Sequence, residues 1–188
     1  MTEQPTADIT ALLVQAQDGN QAALDQLVQM VYLDLKKLAR GQRQKIMSHT
    51  INTTGLVHEA WEKMHQGGMQ FNNKNHFMAV AALAMRHLLI NEAKKKQAQK
   101  RQHEGVNTYD SAIHGSGHGP TPSVEWLLQL DQGLQSLKAH EPRLEQVFVL
   151  IYFAGLTEAQ VAELLAISDR TVRRDWVKAK LMLAMHLT

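Results

Sequence analysis

The chain has 188 residues, 44% of them hydrophobic, and a formal net charge of +2, enough for a real core in one ordinary domain or two small ones. It has no cysteine, which excludes structural disulfides, cysteine nucleophiles and thiolate zinc sites. Met1 to Asp8 is polar and acidic with no apolar signal core, and no stretch approaches the roughly 20 apolar residues of a membrane span; the expected protein is cytoplasmic, with no membrane partner. Leu, Ala, Gln, Lys and Met outweigh the β-branched residues, which points to an all-α fold.

A first helix starts at Asp8 or Thr10 and stops near Asp18-Gly19, with Leu12, Leu13 and Ala16 on one face. Asn20 caps a second, whose Leu24, Leu27, Val28, Val31, Leu35 and Leu38 repeat at helical spacing until it fades around Arg40-Gly41. A third runs from about Thr54 to Gln66 and ends at Gly67-Gly68. After the polar loop Asn72-Asn73-Lys74-Asn75 comes a long helix, roughly His76 to His103. Its first half is apolar on most faces and its second half is rich in Lys and Gln, so the first half belongs to the core and the second to solvent or to something acidic.

From Glu104 to Pro122 glycines and prolines break every periodicity, which reads as a flexible linker. Fully extended, it spans roughly 60 Å, nearly two turns of B-DNA. The expected organisation is therefore a helical unit over 1–103, a linker over 104–122 and a second helical unit over 123–188. In the second unit Ser123 caps a helix through Lys138, and Pro142 opens a helix ending at Ala154-Gly155.

The two closing helices carry the strongest local signal. Thr157 and Gln160 form a capping box, and Val161, Ala162 and Leu165 face inward. Ala166-Ile167-Ser168 makes a tight turn, Ser168 caps the last helix, and Val172 and Trp176 anchor it. Asp169, Arg170, Thr171, Arg173 and Arg174 are left along its exposed N-terminal side. This is the arrangement of a helix-turn-helix, whose second helix enters the major groove; Arg bonds guanine bidentately and helix N-termini favour phosphate. A helical hairpin with a solvated charged face is the plain alternative, but caps, turn and basic face agree on DNA. The basic residues fall in two blocks, Lys94, Lys95, Lys96, Lys100 and Arg101, then Arg170, Arg173, Arg174, Lys178 and Lys180, as a two-site contact with a phosphate backbone requires.

With both halves in view, the sequence resembles the extracytoplasmic-function (ECF) class of bacterial sigma factors. Three segments carry the likeness in order: Leu56-Val57-His58-Glu59-Ala60-Trp61, the run from His76-Phe77 to Ala93-Lys94, and the C-terminal motif. The resemblance implies a helical region two that binds core RNA polymerase and melts the minus-ten element of promoter DNA, then a region four that reads the minus-thirty-five element. It places Leu56, Val57, His58, Glu59, Trp61 and Glu62 in the core-binding helix. Asn72, Asn73, Lys74 and Asn75 would hold a flipped-out base, whose flipping costs a few kcal/mol. Asn91, Lys94 and Lys95 would contact the upstream edge of that element, and Arg86 and Lys96 its phosphates. Ser168, Asp169, Arg170, Thr171, Arg173, Arg174 and Lys178 would face the minus-thirty-five duplex. No cofactor, metal or catalytic residue is implied.

One departure from the family bears on regulation. Just before the core-binding helix the family usually carries an acidic cluster that docks on a basic polymerase surface. Here the stretch is Asn52-Thr53-Thr54-Gly55, without negative charge. A phosphate on Thr54, or Thr53, would add about −1.5 to −2 charges at a helix N-terminus, where the helix dipole favours them; a Ser/Thr kinase is then an expected partner. The simpler reading makes Thr54 an N-cap.

Enzymatic readings fail on the residues. His58-Glu59 begins a zincin motif, but Glu62 stands where the second His is needed. His114 and His118 sit in a glycine-rich stretch with no third ligand, and there is no phosphate-binding glycine loop or nucleophile signature. The alternative function is a stand-alone helix-turn-helix regulator whose N-terminal helices serve dimerisation or effector binding; it would need symmetric operators.

Overall fold

A computed structural model describes residues 6–46, 51–66, 71–103 and 124–187. All regular structure there is helical: α1 (Thr6–Gln17), α2 (Gln21–Ile46), α3 (Thr53–Gln66), α4 (Lys74–His103), α5 (Val124–His140), α6 (Pro142–Tyr152), α7 (Glu158–Leu165) and α8 (Asp169–Ala184). The fold class is all-α, as composition predicts. None of these helices is long and apolar enough to cross a membrane. The expected linker, Ser123, Gly67 and Gly68 lie outside the described residues.

The helix starts follow local capping chemistry. Asn20 Oδ1 accepts from the Ala23 amide at 3.2 Å, the cap expected of it. Pro142 opens α6 where its missing N–H has no intrahelical acceptor to lose. Thr157 and Gln160 close the capping box at α7, and Ser168 Oγ accepts from the Thr171 amide at α8. Three starts differ from expectation. α1 begins at Thr6 rather than at Asp8 or Thr10. α3 begins at Thr53, capped by Asn52, whose Oδ1 accepts from Gly55 N at 2.7 Å; Thr54 is therefore inside the first turn and caps nothing. α4 begins at Lys74, capped by Asn73 Oδ1 on His76 N at 2.8 Å, so half of the expected polar loop is helix.

α2 also runs past Arg40-Gly41 to Ile46, because tertiary contacts hold its last turn. Gln42, buried, donates from Nε2 to the carbonyls of Ala82 at 3.0 Å and Phe153 at 3.2 Å. Lys45 Nζ donates to the Tyr152 carbonyl and lies 4.4 Å from the Tyr152 ring centroid. Tertiary anchoring outweighs the cost of one helical glycine, about 1 kcal/mol.

The core is continuous across the chain. α4 lies between α1–α3 on one side and α5–α7 on the other. Phe77, Met85 and Leu89 join the larger apolar cluster with Leu27, Val31, Leu35, Leu56, Leu127 and Leu134. Ala79 and Ala82 turn the other way, to Val147, Leu150, Val161 and Val172. A helix covered on both sides must be apolar around most of its girth, which explains the first half of α4. Small residues on the second face let α6 and α7 come close.

The turn between α7 and α8 is made by Ala166, which sits in the left-handed region at φ 53 and ψ 44 and donates its N–H back to the carbonyls of Ala162 and Glu163. An alanine there carries a Cβ against the carbonyl that glycine avoids. Ala166→Gly is expected to stabilise the chain by about 0.5–1 kcal/mol after the unfolded-state entropy of glycine is set against the relieved contact. A urea titration checks it: the midpoint should rise at unchanged slope, and a fall would show that the methyl contributes packing that outweighs the backbone strain.

Candidate nucleic-acid and polymerase interface

Three surfaces carry the residues singled out from the sequence. On α3, Leu56 and Val57 are 0% and 5% exposed and belong to the core, their apolar side chains being more stable there than in water. Trp61 is half-buried, its ring edge-on to Phe77 at a centroid distance of 6.0 Å. The surface that α3 offers a partner is therefore His58, Glu59 and Glu62, all exposed. Its first turn contains no acidic residue. Thr54 is exposed there and Thr53 is half-buried, with Arg43 Nη1 donating to Thr53 Oγ1 at 2.9 Å.

The second surface follows α4. Asn72 is exposed, its N–H facing His76 Nδ1 at 3.3 Å. Asn73 spends its side-chain oxygen on the cap. Lys74 pairs with Asp34 at 2.7 Å, and Asn75 Oδ1 accepts from Gln160 Nε2 of α7 at 3.3 Å. Asn91, Lys94 and Lys95 are exposed and Lys96 is half-buried; of these Lys94 reaches Asp131 at 3.6 Å. Arg86 is not on the surface at all: it is 4% exposed, with Nη2 at 2.8 Å from Asp131 Oδ1 and Nη1 at 3.7 Å from Glu145. Its guanidinium carbon lies 5.3 Å from the Phe153 ring centroid.

The third surface is the exposed side of α8. Ser168, Asp169, Arg170, Arg173, Arg174 and Lys178 are exposed and Thr171 is half-buried. Internal partners hold several of them. Arg173 Nη2 meets Glu158 at 2.9 Å, Lys178 meets Glu141 at 2.7 Å, and Arg174 Nε lies 3.3 Å from Asp175. Such exposed pairs are weak, commonly under about 1 kcal/mol, so they orient the basic groups without removing them from use. Arg170 projects from the first turn of the helix beside Asp169.

The sequence reading missed the groups that join the two halves. Asp131 and Glu145 receive Arg86, and Gln42 and Lys45 reach the end of α6. One signal was available: Asp131 stands four residues after Leu127 and three before Leu134, on the buried stripe of α5, where a charge requires a partner. Asp175, 2% exposed, is a second buried carboxylate; it takes Arg143 Nε at 2.6 Å and fixes α8 to α6.

Burial shifts the titration of the groups at this junction. It lowers the pKa of Arg86, against the opposing pull of Asp131 and Glu145, and it raises that of Glu145, against Arg86 and Lys138. It also raises the Tyr152 phenol and lowers the Lys45 ammonium.

The profile of the ECF sigma factor family matches residues 6–188, and the chain belongs to that family. It is thus a transcription initiation subunit of a class that binds core RNA polymerase and promoter DNA, and the family is not one of enzymes. Among curated proteins none matches the chain.

His87, next to Arg86 on α4, gives the site a measurable pH response. Although the side chain is exposed, partial desolvation of its ring first, then the charges of Arg86 and Lys63, hold its pKa below the ordinary 6.5, an effect that solvent keeps small. The folded chain therefore prefers the neutral ring: that contribution is present above the unfolded pKa and is lost as the pH falls through the lower folded value. The urea midpoint should drop slightly as the pH falls below about 6.5, and His87→Gln should remove part of the drop. Identical pH profiles for the two proteins would count against this assignment.

Proposed function

We propose that this sigma factor directs core RNA polymerase to promoters read at two elements, and that phosphorylation of Thr54 in the core-binding region activates it. The observation that carries the regulatory part is the N-terminus of α3. Asn52 does the capping, the first turn has no acidic residue, and the Thr54 hydroxyl is exposed. The simple capping role for Thr54 is thereby removed. Thr53 is the poorer site: Arg43 already donates to its hydroxyl and would neutralise a phosphate placed there. On Thr54 the added charge of about −1.5 to −2 stands on the same helix as the exposed Glu59 and Glu62 and supplies what a basic docking surface needs. A Ser/Thr kinase is the partner this reading requires, and the work would be done in the cytoplasm.

For the promoter, α7 and α8 are read as a helix-turn-helix with α8 in the major groove of the minus-thirty-five element. On this reading Arg170 and Arg173 would meet base edges or phosphates, and Arg174 and Lys178 the flanking backbone. The minus-ten element falls to Asn72 and the loop beside it, with Asn91, Lys94 and Lys95 on α4. Asn73 serves as a cap and so shapes this loop rather than bonding a base from its side-chain oxygen.

Two measurements test this. In a pull-down with purified core polymerase, Thr54→Glu and kinase-treated protein should bind several-fold more tightly than Thr54→Ala, roughly 1 kcal/mol for the exposed charge. Equal binding by every form keeps the sigma factor and removes the switch; binding by none, with DNA binding intact, favours the stand-alone regulator. On minus-thirty-five duplex, Arg173→Ala should weaken binding and reduce the salt slope by about 1 if it meets a phosphate. An unchanged slope together with altered base preference would move Arg173 to base readout.

A further inference from the structure

We propose that the packing of α5–α7 against α4 is an autoinhibitory latch, in which Asp131 and Glu145 hold Arg86 where promoter phosphates would otherwise engage it. The inference rests on reading α4 as the minus-ten surface. Four observations carry it. Arg86 and Asp131 are both nearly fully buried, at 4% and 6% exposure, and their contact joins α4 to α5. Lys94, an expected promoter contact, turns to the same carboxylate from the surface. Asn75, from the expected base-holding loop, is bonded to Gln160 of α7. Gln42 and Lys45 of α2 clasp the carbonyls at the end of α6.

In the first three of these, the C-terminal helices use groups of the expected promoter surface as their anchor, and the fourth holds the same two halves together. Carboxylates stand in for phosphates, and Arg86 cannot meet DNA while α5 lies over it. The anchor is also incomplete: among the described residues no acceptor reaches the buried Nε of Arg86. A backbone phosphate carries two anionic oxygens, as a carboxylate does, and can accept a bidentate pair from the guanidinium. Opening therefore exchanges one anionic partner for another. The chain between the halves, residues 104–123, is long enough to let them part to roughly 60 Å.

The chain has no cysteine, so the latch can be closed chemically. Lys45 and Tyr152 touch across the halves and neither is assigned to promoter or polymerase. Lys45→Cys and Tyr152→Cys are joined by a reducible bismaleimide, in whichever Thr54 form binds core polymerase. The linked protein should initiate transcription at about a tenth or less of the level reached after the linker is reduced. Equal activity of linked and released protein overturns the latch. Silence of both, with core polymerase that is active with another sigma factor, means the promoter reading itself has failed and the latch falls with it.

A second measurement needs no promoter. Spin labels at Lys37→Cys and Ala159→Cys flank one cleft between the halves, which Lys37 and Gln160 line. The free protein should give one short distance, replaced by a longer one on addition of core polymerase. Asp131→Asn with Glu145→Gln should show the long distance without polymerase. A long distance in the unsubstituted free protein, or a short one retained on polymerase, overturns the proposal.

Discussion

A guanidinium buried at the centre of an all-helical protein dictates much of what surrounds it. Arg86 sits on the most apolar stretch of the chain, and an ion so placed costs several kcal/mol in lost hydration unless it is paired. Its partners come from two other helices, Asp131 on α5 and Glu145 on α6. The pairing fixes which face of α5 turns to α4, and through Asp175 and Arg143 the same logic fixes α8 to α6. Apolar contacts supply the bulk of the cohesion, but they are non-directional. The buried charges define the register.

The consequence for α4 is that it serves two masters. Phe77, Met85 and Leu89 complete the N-terminal core, while Ala79 and Ala82 form a shallow seat for α6 and α7. The helix then leaves the body, and its apolar pattern gives way to Lys94, Lys95 and Lys96. Structure and surface chemistry thus change at one place, near Ala93, the last residue of α4 in the core. A helix that is both the central strut and a carrier of basic groups transmits to its surface any change in what packs on it.

Much of this was legible in the sequence. Helix positions followed from apolar periodicity, and the caps at Asn20, Thr157 and Ser168 followed from side-chain chemistry within three residues. What failed depended on distant residues. The end of α2 was set too early because Gly41 looked like a stop, whereas Gln42 and Lys45 are held by carbonyls more than a hundred residues away. Leu56 and Val57 are not among these: apolar periodicity puts them on the buried side of α3, and they fill the core, although the family motif runs through them; a motif marks an element, not which of its side chains face out. The burial of Arg86 against Asp131 also depends on a distant residue, and its one local trace is the place of Asp131 on the apolar stripe of α5.

The energetics of the buried pair bear on why a latch of this kind opens at all. A buried ion pair adds little net stability over a well-packed apolar substitute, although removing one partner alone costs about 3–5 kcal/mol. Closure held by such a pair is therefore selective without being deep. Solvent is a poor competitor for Arg86 while α5 remains in place, since a half-opened state leaves a charge without hydration or partner. A large apolar or anionic surface that engages the whole of α4 avoids that penalty, because it replaces contacts as it removes them. Polymerase and promoter together offer such a surface, and in the proposed latch they compete with α5 and α6 for the same groups. The exposed Thr54 lies on α3, which packs on α4 from the opposite side, so in the proposed scheme a charge added there would act on docking without touching the latch. Recruitment and opening can then be separate steps, one set by a surface phosphate and the other by exchange of partners at Arg86.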